Sequence, residues 1–351
     1  MHAVMATAPA DPQRLVLVRS DRLGDVIITT SCLEPLRAAL PRTEIHFAAP
    51  ARMASLFYQH PALKSFVPLP EDIESNSRIE TIAELFRMIQ PDCIVHLIPD
   101  AEIEWAAARA KTPRRIGFRH QEGQWLTESR VGATKRGEKH EGLYNFDLLG
   151  LLGVSAPAKL TPWLNPDEAA RSRLAKKMPA GVSTGAYSVL HVGAHVGKPR
   201  ITPEFFIAAS RWLVEKHGLH VMLIGAEPGD EIVGKIMAGA GDASSRLHDF
   251  CGKTDLAEAA FLLRDAAIVF GRDSGPAHLA AAMSARTVTL MLEPERENSA
   301  RRWKPLGERS WTLEKPLERR WYESRARFAT RNLRQFSPTE VVDALQLALK
   351  S

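Results

Sequence analysis

Residues 269–283 read VFGRDSGPAHLAAAM and form the most specific pattern in the chain. The apolar start predicts a strand, DSGP a tight turn, and the small residues a helix packed closely on a sheet. The amides of Ser274 and Gly275 would lie at the helix N-terminus, where backbone N–H groups and the helix dipole favour a phosphate. A capped helix with a core histidine at His278 is the structural alternative.

Strand and helix patterns alternate on both sides of this stretch. Strands are predicted at 14–19, 44–49, 65–69, 92–98, 187–192, 219–224, 266–270 and 287–292, and helices at 26–40, 78–90, 203–217, 255–264, 276–284 and 338–349. Such alternation indicates parallel sheets with helices on both faces. The proline-rich segment 153–179 interrupts it, which predicts two α/β domains with a ligand site between the carboxyl edges of their sheets.

Composition sets the class of protein. The 351 residues are 45% hydrophobic and 25% charged, as in ordinary globular proteins of about two domains. The three cysteines, Cys32, Cys93 and Cys251, include no CxxC pair, which excludes a disulfide scaffold and a cysteine-only zinc site. Without a secretory pattern or about 18 consecutive apolar residues, we expect a cytoplasmic protein that does not span a membrane.

The net charge is +5, too small a bias to indicate nucleic-acid binding. The excess is uneven, since Arg296 to Arg334 holds 12 Lys and Arg against 5 Glu. A basic stretch of this kind suits an anionic ligand or an anionic membrane surface. A solvated helical face is an equally good interpretation.

The first strand leads into an acidic loop, VRSDRLGD at 18–25. Gly24 permits a tight turn or a close backbone approach. Asp25 is predicted at a helix N-terminus on the cleft edge, where it is either a helix cap or a functional carboxylate. Asp21 is a competing carboxylate in the same loop, and Arg19 and Arg22 flank it.

Two further segments follow strands of the second half. VLHVGAHVGKPRITPEFF at 189–206 carries two glycines with Lys198 and Arg200, which suits an anion site. His191 and His195 need not share a face there, so no metal site is expected. Glu227 directly follows a predicted strand, where it would accept from ribose hydroxyls or act as a helix-start charge.

These segments together resemble glycosyltransferase family 9, the ADP-heptose:lipopolysaccharide heptosyltransferases. The likeness covers about residues 14–310 in the family's order. It comprises DRLGD at 21–25, the loop at 191–194 with Val192 in place of a proline, DSGPAHLAAA at 273–282, RIGF at 115–118, the stretch from His140 to Leu152, and RWKP at 302–305.

The resemblance implies an α/β GT-B fold, with two Rossmann-like domains facing each other across a central cleft. Residues 1–160 would bind the acceptor, 161–180 would link the domains, and 181–336 would bind the nucleotide sugar. The C-terminal helix within 337–351 would pack back on the N-terminal domain.

The resemblance also implies an inverting reaction with Asp25 as general base and no metal or other cofactor. Arg19, Asp21, Arg22 and Gly24 would form the acceptor-side loop. The donor would be bound by Gly193, Ala194, Lys198, Arg200, Glu227, Asp273, Ser274, Gly275 and His278. The chain has no DxD triplet, which agrees with metal independence. Thr202 replaces the family's Trp and Arg200 its Lys, so whether Lys198 or Arg200 binds the diphosphate is left open.

The partners implied are a nucleotide sugar, ADP-heptose in the named family, and the anionic inner core of lipopolysaccharide. The enzyme would work in the cytoplasm with peripheral contact to the inner membrane, without nucleic acid. Another nucleotide sugar with another glycan or protein acceptor is an alternative, as is a non-catalytic nucleotide- or glycan-binding member. A nicotinamide-dependent dehydrogenase is excluded, because SDRLGD rather than GxGxxG follows the first strand.

Overall fold

Short runs of buried Val, Leu, Ile and Ala form the strands of two parallel sheets. The computed structural model describes residues 11–131, 137–193, 200–227, 229–293, 295, 297–320 and 322–350. Inner strands such as Arg14–Val18, Cys93–His96 and Val269–Arg272 are buried on both faces, which explains why they read as continuous apolar runs rather than alternating ones.

The first sheet belongs to the N-terminal half. Its strands are β1 (Arg14–Val18), β2 (Glu44–Pro50), β3 (Ser65–Leu69), β4 (Cys93–His96), β5 (Arg114–Arg119) and β6 (Glu128–Val131). They are all parallel, in the order β3-β2-β1-β4-β5-β6, with Leu15 in register with both Ile45 and Cys93. The helices of this half are α1 (Leu23–Thr29), α2 (Leu33–Ala39), α3 (Ser75–Ile89), α4 (Ala101–Arg109) and α5 (Glu141–Leu149). Short 3-10 turns lie at Thr30–Cys32, Ala51–Leu56, Gly123–Trp125 and Gly150–Leu152.

The second sheet repeats this order in the C-terminal half. Its strands are β7 (Tyr187–His191), β8 (His220–Ile224), β9 (Leu247–Asp249), β10 (Val269–Arg272), β11 (Thr287–Leu290) and β12 (Ser310–Leu313), parallel in the order β12-β11-β10-β7-β8-β9. The helices are α6 (Ala169–Ala175), α7 (Pro203–His217), α8 (Glu231–Gly239), α9 (Leu256–Arg264), α10 (Gly275–Ala282), α11 (Ala300–Trp303), α12 (Arg325–Leu333) and α13 (Pro338–Lys350), with a 3-10 turn at Gly241–Arg246.

Each sheet has a point where the strand order reverses, between β1 and β4 in the first and between β7 and β10 in the second. In open parallel sheets ligands bind beyond the carboxyl ends of the strands at this point. The loops after β1 and β10 therefore begin at the two expected ligand edges. The predicted fold class, two Rossmann-like domains of GT-B type, is confirmed.

The segment predicted as the linker contacts both halves in turn. The Asn165 amide donates to the Leu56 carbonyl at 3.0 Å, on the N-terminal side. Lys177 Nζ then donates to Glu258 Oε2 at 2.6 Å, on α9 of the C-terminal side. Buried apolar side chains of both halves form one continuous cluster between them. The domain boundaries at 160 and 180 stay predictions.

The final helix lies elsewhere than expected. The predicted packing of α13 on the N-terminal domain is wrong, because its apolar side chains Val341, Leu345 and Ala348 join the core of the C-terminal half. There the helix packs against α7, β11 and β12. A capping box starts it, with the Ser337 amide donating to Glu340 Oε2 and the Glu340 amide donating to Ser337 Oγ.

Candidate active site

Helices α1 and α10, one from each half, meet at their N-terminal ends. A Cβ atom built on Gly24 would lie 2.8 Å from Cδ2 of His278, and one built on Gly275 would lie 3.0 Å from Cδ2 of Leu23. Carbon atoms in contact prefer about 3.5–4.0 Å. Both glycines are therefore needed for this close approach, and they bring the two predicted site loops together.

Asp25 lies in the first turn of α1 and is not its cap. The helix begins at Leu23, three residues before the predicted start, with Arg22 at the N-cap. The cap interpretation of Asp25 is therefore wrong, while its position on the cleft edge agrees with the prediction. The Asp25 side chain is 12% exposed.

Arg19 holds the acidic loop together. Its guanidinium donates to both carboxylate oxygens of Asp21, at 2.7 and 2.9 Å, and to Oδ1 of Asp25 at 2.9 Å. It also donates to the Leu97 carbonyl at 3.3 Å and to Oδ1 of Asn145 at 3.4 Å. Arg19 is only 1% exposed, so this rigid set of donors fixes the orientation of Asp25.

The Asp25 carboxyl has a raised pKa. Burial is the main cause and the charge of Asp21 the next, and together with Glu141 they raise the pKa from 3.8 to about 6. Arg19 and His278 act in the opposite direction. A carboxylate in this range is mostly ionised at pH 7 and accepts a proton more readily than an exposed one, which suits a general base.

Two charged residues at this site were missed by the sequence analysis. Nε of Arg302 in α11 donates to Oε2 of Glu141 at 2.8 Å, and a terminal guanidinium nitrogen forms an ion pair with the same oxygen at 2.7 Å. This pair joins the two halves. Oε1 of Glu141 lies 3.5 Å from the Arg19 guanidinium. Both residues fall within segments singled out above, the stretch from His140 and RWKP, but only their contact across the cleft shows a role.

The loop after β10 forms the opposite wall. Ser274 is the N-cap of α10 and Gly275 its first residue, so the first-turn amides lie at the cleft edge. An anion site at these amides stays a prediction. Ser274 Oγ lies 3.2 Å from Nδ1 of His191. Oδ1 of Asp273 lies 3.3 Å from Nε2 of His278, which is 4% exposed.

The loop after β7 approaches the loop after β8. A Cβ atom on Gly193 would lie 3.1 Å from the Gly225 Cα, so glycine allows the two backbones to come close. Burial and the charge of Arg272 lower the pKa of His191 to about 4, so this ring is neutral at pH 7. Ala194, His195 and Lys198 lie outside the described residues.

The remaining predicted donor residues lie at the rim. Arg200 is exposed and donates to both carboxylate oxygens of Asp230, at 2.8 and 2.6 Å. Asp230 also caps α8 by accepting from the Ile232 amide. Glu227 is exposed in the turn after β8. Arg200 and Glu227 are therefore accessible at the carboxyl edge of the second sheet.

In the described part of the chain, no group of three or more His, Cys, Asp and Glu side chains is arranged to hold a metal ion. In the same residues, no helix combines the length and apolar character needed to cross a bilayer.

The basic stretch includes α12, which packs through Ala329 and Leu333 on the C-terminal core. Arg325, Arg327 and Arg334 are exposed on its outer face. Arg331 instead pairs with Glu323 at 2.8 Å. Exposed arginines are therefore present on α12, which is compatible both with an anionic partner and with a solvated helical face.

Two facing parallel sheets, with an acidic loop on one edge and an anion-type helix start on the other, define a GT-B glycosyltransferase architecture. Residues 105–320 match the sequence profile of glycosyltransferase family 9 (heptosyltransferase), and the chain belongs to this family. No curated protein sequence matches the chain.

Solved structures with this fold cover nearly the whole chain. A family 9 glycosyltransferase from Veillonella parvula is 21% identical with a TM-score of 0.81, over 96% of this chain and 97% of that one. The ADP-heptose lipopolysaccharide heptosyltransferase II of E. coli is 20% identical with a TM-score of 0.75, over 96% and 98%. E. coli heptosyltransferase WaaC with ADP is 16% identical with a TM-score of 0.70, over 95% and 99%. At these identities the likeness establishes the fold.

Proposed function

We propose that the protein transfers a heptose, or a related sugar, from an ADP-sugar to an acceptor in the lipopolysaccharide core, with inversion and without a metal. The observation that carries this proposal is the Asp25 carboxylate. It is held by Arg19 on the acceptor-side loop and faces the N-terminal end of α10 across the cleft. Its raised pKa is what a general base requires.

In the proposed reaction, Asp25 takes the proton of an acceptor hydroxyl as that oxygen attacks the anomeric carbon. The bond from this carbon to the nucleoside diphosphate breaks, and the leaving group carries the electron pair away. Attack from the face opposite the leaving group inverts the configuration in a single step. The first-turn amides of α10 would stabilise the developing charge on the diphosphate.

The family and the names of two solved structures support the proposed donor. One neighbour is described as an ADP-heptose enzyme and another was solved with ADP. Glu227 is accessible for ribose hydroxyls and Arg200 for the diphosphate. A guanidinium can bind phosphate through two parallel hydrogen bonds, so Arg200 suits the place of the family's lysine.

The proposed location is the cytoplasm, with peripheral contact at the inner membrane, where a lipid-anchored acceptor would be reached. The exposed arginines of α12 support this contact through attraction to anionic lipids, worth about 1 kcal/mol per basic residue near the surface. The triple variant Arg325→Gln, Arg327→Gln and Arg334→Gln should sediment less with anionic vesicles. Neutral vesicles provide the control, and unchanged sedimentation of the triple variant would contradict a membrane role for α12.

The experiment that tests the function begins with calorimetric titration of ADP, UDP, GDP and ADP-heptose without added metal. Preferential binding of ADP and ADP-heptose, weakened in Glu227→Ala, supports the proposed donor. Transfer to a core acceptor is then measured for the wild type and for Asp25→Asn, with the anomeric configuration of the product read by NMR. Preference for UDP or GDP would overturn the donor, and a folded protein that binds none would favour the non-catalytic alternative.

A further inference from the structure

A largely buried cluster of five charged groups spans the two halves of the molecule. The N-terminal half supplies Arg19, Asp21, Asp25 and Glu141, and the C-terminal half supplies Arg302. Glu141 and Arg302 are 8% and 6% exposed. Three carboxylates thus share two guanidinium groups in a region that screens charge poorly.

Glu141 lies between the two guanidinium groups. One of its oxygens accepts a hydrogen bond from Nε of Arg302 and forms an ion pair with a terminal nitrogen of the same guanidinium, and the other oxygen lies 3.5 Å from Arg19. Arg19 in turn donates to Asp25 at 2.9 Å. The contacts form one chain from Arg302 through Glu141 and Arg19 to the carboxylate.

This arrangement gives Arg302 a specific electrostatic effect. While Arg302 neutralises Glu141, the Arg19 guanidinium remains available to Asp25 and Asp21. Without Arg302, the Glu141 charge would be uncompensated and would attract Arg19 away from Asp25. Both changes favour the protonated form of Asp25.

We propose that Arg302 is a positioning residue for Asp25, which acts through Glu141 and Arg19 and makes the proton affinity of the base depend on contact between the two domains. The inference rests on the proposed function only for the role of Asp25 as base. Its electrostatic content concerns a carboxylate that can be observed without turnover.

Other charged groups near Asp25 also affect its ionisation. His278 of α10 favours the ionised form of Asp25, and Asp21 of its own loop disfavours it. Asp273 contacts His278 rather than Asp25. Neither His278 nor Asp273 contacts Arg302 in the described hydrogen bonds and ion pairs, so substitutions at Arg302 leave these influences in place.

The test follows the ionisation of Asp25 by NMR of protein labelled with ¹³C at the aspartate carboxyl carbon. The signal is assigned by its loss in Asp25→Asn. Arg302→Gln should raise the pKa of Asp25 by roughly half a pH unit or more, and Glu141→Gln should lower it by a similar amount. The double variant should return towards the wild-type value.

Arg301→Gln is the matched control, because Arg301 is the exposed neighbour of Arg302 and should leave the titration unchanged. Arg302→Lys keeps the charge and should restore most of the wild-type pKa of Asp25. If Arg302→Gln does not fold, Arg302→Lys and Glu141→Gln still test the proposal. Shifts of Asp25 in the same direction in Arg302→Gln and Glu141→Gln, or no shift in either, would overturn the proposal.

The acidic limb of the pH profile of kcat/KM should move in the same sense as the NMR titration in each variant. Opposite shifts in the NMR titration, with no sugar transfer by the wild type, would refute the proposed function and support the electrostatic chain. Normal transfer, with no opposite shifts, would refute the chain and leave the function standing.

Discussion

The replacement Asp25→Asn should make the protein more stable at neutral pH while it removes the proposed base. Asp25 is ionised inside a cluster with more carboxylates than guanidinium groups. An asparagine oxygen can still accept from Arg19, but the buried charge is gone. Stabilisation by removal of a functional group is expected where a site is built at a cost to stability.

The size of the expected stabilisation follows from the pKa of Asp25. The folded protein raises the pKa of Asp25 from 3.8 to about 6. At roughly 1.4 kcal/mol per pH unit, ionised Asp25 lowers the free energy of unfolding by at most about 3 kcal/mol. The sign follows because the folded state binds this proton more tightly than the unfolded state. The cost is therefore absent below pH 3.8, develops as the pH rises through this window, and is complete above about pH 6.

The assay is thermal unfolding of the wild type and Asp25→Asn at pH 8 and at pH 4.5. About 1–2 kcal/mol of stabilisation in a domain of this size raises Tm by roughly 2–8 °C at pH 8. The gain should shrink at pH 4.5, and turnover at pH 8 should fall by roughly 10²–10⁴. Asp343→Asn, an exposed position in α13, provides the control. A lower Tm at pH 8, or an equal gain at both pH values, would refute the reasoning.

Three other outcomes are expected. In the wild type, kcat/KM should fall about tenfold per pH unit below pH 6, because protonated Asp25 cannot act as base, and a flat profile from pH 5 to 8 would contradict this. Gly24→Ala should reduce kcat/KM at least about tenfold with little loss of Tm, because its methyl group would clash with His278 across the cleft and separate the domains. Gly150→Ala, with no atom within 4 Å of the new carbon, is its control, and equal effects would argue against a specific clash. Arg200→Ala should weaken ADP binding, measured by calorimetry, about tenfold, which is the value of one charge-assisted hydrogen bond. The Tm should change little, because the ion pair of Arg200 with Asp230 is exposed at the Arg200 side. Unchanged ADP affinity would assign the diphosphate to another cation.

Most inner strands, though not β5, could be predicted because burial on both faces makes them continuous apolar runs, as in RLVLV of β1. The edge strands β6 and β9 were missed for the same physical reason, whereas the edge strand β3 was predicted. ESRV of β6 and LHD of β9 are short and largely polar, and each pairs with one neighbour only. Their pairing is decided by the adjacent strand rather than by their own apolar pattern.

The start of α1 was placed too late because glycine is a poor helix former. Contact of Gly24 with His278 in the other domain explains the glycine, and this contact is tertiary. The amphipathic pattern of α13 predicted a helix with one buried face, but such a pattern does not show which surface covers that face.

The candidate site, too, could be predicted from the sequence only in part. Arg19, Asp21 and Asp25 lie within one loop, so the sequence placed them together. Glu141 lies 122 residues from Arg19, and Arg302 lies a further 161 residues along the chain. No local pattern marks such pairs, because only the packing of one domain on the other brings them into contact.

The contacts of the linker show where the chain passes from the N-terminal to the C-terminal half. Asp167 still bonds to Ser55 on the N-terminal side, whereas α6, from Ala169 onward, packs on α9. With α13 kept in the C-terminal half, the described backbone passes between the sheets once, within these few residues. Two separately expressed fragments divided there would each carry a complete sheet with its own helices. Their reassembly would depend on the side chains across the cleft alone, so recovered activity would report directly on how strongly the two domains hold each other.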